Sequence, residues 1–199
     1  MFITLTIEAS GEAADIEKYL TILTPFNIDN IADSLKNSNF KIGNMVIYLK
    51  SNNPLIDRCI KKTIAKYNNF PNFFSSYEFK DSKISYKLIQ VWHFYMENFP
   101  DYKIDNPVIN KFSELCHSHD NIIKRSCADV LKYFDEEKII NLLCLLLDEE
   151  DIKVNIFAIN SLSYLKNKNC IEKIKKLKNK RNFYIDFTIK QYFINIKQN

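Results

Sequence analysis

Apolar residues in the second half of the chain recur after 31 positions. Ile109, Ile140 and Ile171 fall in register, then Phe112, Leu143 and Ile174, then Leu115, Leu146 and Leu177. These sets step by three, which is one stripe of a helix. A second group follows: Ile123, Val154 and Ile185; Cys127, Ala158 and Ile189; Leu131, Leu162 and Phe193; Phe134, Leu165 and Ile196. It steps by four, four and three, again a single helical face. Between the groups stands Asp120, Asp151 or Asn182, whose oxygen can accept from the free amides that open the next helix. The pattern predicts three helical hairpins over 107–134, 138–165 and 169–196. One hairpin cannot bury its stripe alone, so the three must stack.

The first half reads differently. Phe2–Ile7 is β-branched and alternating, which predicts a strand. A helix is expected over Ala13–Leu23, ending before Pro25. The run Met45–Leu49 inside Lys41–Leu49 predicts a second strand, and Phe73–Phe79 a third strand or an aromatic loop. Pro54 suits the first turn of a helix running to Tyr67, and Ile84–Phe99 has helical spacing up to Pro100. Trp92, His93, Phe94 and Tyr95 cluster in that last helix. The expected architecture is mainly α: a small N-terminal α+β unit over 1–105 and three stacked hairpins over 106–199, joined through Asp101–Pro107.

Composition supports the helical half. The 199 residues include 2 glycines and 5 prolines, too few for the tight turns of a barrel or sandwich. No apolar run reaches the ~20 residues that span a bilayer. The opening MFITLTIEAS has no basic stretch, so a signal peptide is not expected. Five cysteines stand at scattered positions with no CxxC pair: Cys59, Cys116, Cys127, Cys144 and Cys170. The reading is a reduced, cytoplasmic chain with free cysteines in its core.

The net charge of +4 hides an asymmetry. Residues 100–165 hold 7 basic and 12 acidic side chains, and residues 166–199 hold 10 and 2. Lysine supplies 25 of the 28 cations, whereas arginine dominates bidentate recognition of phosphates and bases. Specific nucleic-acid binding is therefore not expected. The run Lys173, Lys175, Lys176, Lys178, Lys180 and Arg181 is read as a solvated outer face. The runs Asp135–Glu137 and Asp148–Asp151 sit at helix starts, where carboxylates meet the positive end of the dipole. Cys116, His117 and His119 form the only Cys/His cluster, and no second pair completes a zinc set. No catalytic residue, metal or cofactor is expected.

Asp151-Ile152-Lys153-Val154 with Ala158 and Leu162, and less fully Asp120, Ile123, Ala128 and Leu131, resembles the short HEAT-like repeats. The arginine of that pattern is missing, with Lys124, Asn155 and Asp186 in its place. The resemblance covers roughly the last 90 residues. It implies a binding scaffold whose second helices line a concave side. Opposite the apolar face these helices carry Ile122, Arg125, Asp129 and Lys132; Lys153, Ile156, Asn160 and Ser163; and Tyr184, Phe187, Gln191 and Ile194. This strip, together with Asp148, Glu149 and Glu150, is the expected partner surface. Exposed Tyr184, Phe187 and Ile194 imply either a partner or a homodimer through the end repeat. Small HEAT-like chains with an α+β leader are similar in architecture to immunity proteins of bacterial polymorphic toxin systems. That similarity implies one protein partner, a basic toxin domain among the possibilities. The alternative is a nucleic-acid-binding chain like the HEAT-like alkylpurine DNA glycosylases.

Overall fold

The computed structural model describes residues 13–38 and 40–197. Those residues form helices and turns, with no strand among them. The chain divides into two compact units, Met1–Pro100 and Asp101–Asn199. No described helix is long and apolar enough to cross a membrane.

The first unit holds α1 (Ala13–Thr21), α2 (Ile28–Asn37), α3 (Ile42–Val46), α4 (Pro54–Ile64), α5 (Phe70–Ser76) and α6 (Ser82–Asn98). The α+β expectation is corrected here. The strand expected at Lys41–Leu49 is α3 and a 3-10 turn, Ile47–Lys50. Its buried residues are Ile42, Met45, Val46 and Leu49. That spacing of three, one and three is helical; Ile47, inside the apolar run, faces solvent. The strand or loop expected at Phe73–Phe79 begins as α5, which buries Phe70 and Phe74 one turn apart. The strand expected at Phe2–Ile7 lies outside the described residues.

Among the described residues of the first unit α1 packs on α2 and α3 on α4, and α4 packs on both α2 and α6. Asn53 and Asp81 cap α4 and α6 through Leu55 N and Ile84 N. Lys62 reaches Asp29 at 2.5 Å and Lys66 pairs with Asp33, in both cases 33 residues back. Phe70, Phe74, Trp92 and Tyr95 fill the centre; Trp92 lies 5.0 Å from Phe70 and 5.4 Å from Phe74. Lys61 and Lys87, both buried, share Asp57 at 2.7 and 2.9 Å. Lys61 also donates to Gln90 and Lys87 to the Ser51 carbonyl, so neither ammonium is left without acceptors.

The second unit holds α7 (Asn106–Cys116), α8 (Asn121–Val130), α9 (Glu137–Leu146), α10 (Ile152–Tyr164), α11 (Ile171–Lys176) and α12 (Phe183–Asn195). The three hairpins stand where the 31-residue register puts them. Asp120, Asp151 and Asn182 cap α8, α10 and α12 by accepting from Ile122, Val154 and Tyr184 amides. The apolar sets are buried, except that Leu165, Ile171 and Phe193 are only half-buried. Tyr192, one residue from Phe193, takes the deep position instead, and its hydroxyl donates to the Asn167 carbonyl. Burial pushes that phenol up to about 12.

Candidate functional site

The helices α8, α10 and α12 share one wall of the second unit, with α10 packed on both neighbours. Ser161 donates to the Ala128 carbonyl on α8, and Asn195 of α12 donates to Ser163 Oγ at 2.9 Å. Side chains not used in this stacking form the expected partner strip.

Arg125, Asp129 and Lys132 of the strip are engaged within the chain, whereas Lys153 is exposed with no ion pair among the described residues. Arg125 grips Asp151 through two hydrogen bonds, Nε to Oδ1 at 3.1 Å and Nη2 to Oδ2. The guanidinium holds the Asp151 carboxyl below its ordinary value, as do the amides it caps. Lys132 pairs with Asp129 one turn away at 2.9 Å. Lys124 takes Glu149 at 2.6 Å and Lys173 takes Asp148 at 2.5 Å. Glu150 is exposed, with no cation against its carboxylate among the described residues.

Asn155 stands where the HEAT-like pattern has arginine. It is fully buried, and its amide donates to the carbonyls of Leu146, Leu147 and Glu149, each at 3.1 Å. Lys180 closes the arrangement, donating to Asn155 Oδ1 and to the Glu149 carbonyl, both at 2.7 Å. The turn after α9 is thus tied to α10 and to the residues after α11.

Among uncharged members, Asn160 is exposed and Ile156 half-buried. Ser163 is corrected: it is buried under Asn195 rather than facing solvent, because α12 crosses α10 at that position. On α12 the expectation and the geometry agree on exposure. Tyr184 is 69% exposed, Phe187 54% and Ile194 46%, with Gln191 between them on the open side. The sequence reading missed Phe183, 75% exposed at the start of α12. Phe183, Phe187, Lys190 and Ile194 step by four, three and four, a signal already present in the sequence. They line a groove of about 1050 Å³ together with Lys178, Asp186 and Lys197. Helix α12 meets the core through Ile185, Thr188, Ile189 and Tyr192, with Ile196 just beyond it, and leaves the apolar side chains of Phe183, Phe187 and Ile194 open.

The cysteines need a second correction. Cys59, Cys116 and Cys127 are free and fully buried, as core residues. Cys144 and Cys170 are instead paired as a disulfide. Helix α10 returns the chain so that α9 passes beside the start of α11, bringing the two Cα atoms to 5.9 Å. Cys116 and the adjacent His117 serve the end of α7; His117 Nδ1 lies 2.7 Å from the Ser113 carbonyl.

No family model matches the chain, and no curated protein matches it. Among solved structures it is similar to an engineered protein from the Northeast Structural Genomics Consortium, at 12% identity and TM-score 0.54 over 92% of this chain and 97% of that one. A designed armadillo repeat protein in complex with the peptide (KR)4 matches at 10% identity and TM-score 0.53, over 92% and 91%. A second engineered protein from the same consortium matches at 14% identity and TM-score 0.52, over 94% and 91%. The fold is that of a helical repeat protein.

Proposed function

We propose that this chain is a non-enzymatic binding module that holds one protein partner on α12, and that it works as an immunity-type protein by occupying and blocking a toxin. The observation that carries the reading is the apolar side of α12, with Phe183, Phe187 and Ile194 in the open. Exposing three large apolar side chains along one groove costs solvation that a partner would recover. The designed armadillo protein of similar fold, in complex with a peptide, supports a polypeptide as the class of ligand. The acidic segment is a less available docking site than its composition suggests, because Asp148 and Glu149 already hold Lys173 and Lys124. Affinity capture from the native cell with wild type and Phe187→Asp tests the reading. One protein should be retained by wild type and lost by the variant, and its toxicity should fall when the chain is added. Retention of a specific DNA or RNA at physiological salt, with no protein, would overturn it.

A further inference from the structure

We infer that the open side of α12 receives an acidic amphipathic helix of the partner, lying along α12 as one more helix of the stack. This deepens the binding-module reading and rests on it.

Register supplies the first argument. Ile159 and Ser163 on α10 are buried, and Asn195 shows α12 lying over Ser163. Their counterparts 31 positions later are Lys190 and Ile194, which are exposed. The surface that α12 covers on α10 is therefore repeated on α12, with no described residue over it.

Spacing supplies the second. Phe183, Phe187, Lys190, Ile194 and Lys197 step by four, three, four and three. Such a 3.5-residue period keeps one seam facing a neighbouring helix along its whole length, as in coiled coils. A strand or a loop tip would touch only part of it.

Charge fixes the chemistry of the occupant. The groove carries Lys178, Lys190 and Lys197 against Asp186 alone. Nearby Lys173 and Lys175 pair with Asp148 and Glu172. Among the described residues, the ammonium groups of Lys178, Lys190 and Lys197 have no such partner. Carboxylates flanking the partner's apolar stripe would complement them. A second copy of this chain fits poorly. Parallel pairing sets Lys190 on Lys190 and Lys197 on Lys197; antiparallel pairing about the centre sets Lys190 on itself and Phe183 on Lys197. Both therefore oppose like charges, at Lys190 in either direction and at Lys197 in the parallel one.

Two fluorescent helical peptides of about 21 residues provide the test, both with leucine at four-three spacing, one flanked by glutamate and one by lysine. Binding to the full chain is read by anisotropy at low and physiological salt. The glutamate peptide should bind at least about tenfold tighter than the lysine peptide and weaken as salt rises. Phe187→Asp should weaken it at least about tenfold, because the apolar contact is central to the seam. The pair Lys190→Glu with Lys197→Glu should reverse the preference. Circular dichroism should show both variants folded, since all three residues are exposed. Equal binding of the two peptides, binding of neither, or indifference to Phe187→Asp overturns the inference. So does a wild-type dimer, seen by light scattering, that Phe187→Asp dissolves. A native partner lost by Phe187→Asp but unaffected by the lysine reversals would leave the binding-module reading standing and overturn this one.

Discussion

Replacing Asn155 by leucine removes a buried amide while nearly keeping its volume. The amide now supplies donors to three carbonyls at 3.1 Å, and Lys180 also holds the Glu149 carbonyl. Leucine would therefore strand the carbonyls of Leu146 and Leu147 and leave Lys180 one acceptor short. A buried acceptor without a donor costs about 1–3 kcal/mol, and the added apolar contact returns part of that. The expected loss is about 2–4 kcal/mol. Urea unfolding followed by far-ultraviolet circular dichroism is the assay. With a slope of about 2 kcal/mol per molar, the midpoint should fall by roughly 1–2 M. Asn160→Leu on the exposed side of the same helix is the control and should change stability by less than ~0.5 kcal/mol. If the two variants unfold together, the buried amide is not what fixes the α9–α10 turn.

Leu162→Ala empties a fully buried site and should cost about 2–5 kcal/mol in the same assay; a loss below 1 kcal/mol would mean the site collapses without a cavity. Asp151 has a depressed carboxyl in the folded state, so its contribution is present above the ordinary carboxylate range and is lost as pH falls through the lower folded value. Wild type should therefore lose thermal stability between about pH 5 and pH 2 more steeply than Asp151→Asn; parallel curves would refute the linkage. Thiol titration of unfolded, unreduced protein should count three free cysteines, Cys59, Cys116 and Cys127. Reducing the Cys144–Cys170 bridge, which spans 26 residues, should cost about 3 kcal/mol of stability.

The second unit was legible because its helices repeat at one interval and each second helix opens on a capping side chain. Asp120, Asp151 and Asn182 mark the three starts without help from tertiary structure. In the first unit the corresponding caps, Asn53 and Asp81, stand 28 apart rather than 31, so no register carries over. Helix α3 has five residues, and its apolar run includes exposed Ile47, which masks the helical spacing beneath it. On the candidate surface, exposure of Phe187 followed from the wheel, whereas burial of Ser163 did not. That burial depends on where α12 crosses α10, which is a tertiary matter. The pairing of Cys144 with Cys170 is likewise set by chain return through space and leaves no spacing signature.

The ties between successive second helices also bear on how the chain acquires its structure during synthesis. Lys62 meets Asp29 across 33 residues, Ser161 meets Ala128 across 33, and Asn195 meets Ser163 across 32. Each tie becomes possible once one further hairpin has left the ribosome, and none of them waits for the distant end of the chain. Topologies of this kind have low contact order, and low contact order goes with fast folding. Translation at about 5–20 residues per second delivers a new hairpin every few seconds. Within each unit, a hairpin can thus dock on its predecessor before the next emerges. Apolar stripes such as Leu143, Leu146 and Val154 would then be bare only for the time taken to translate one repeat.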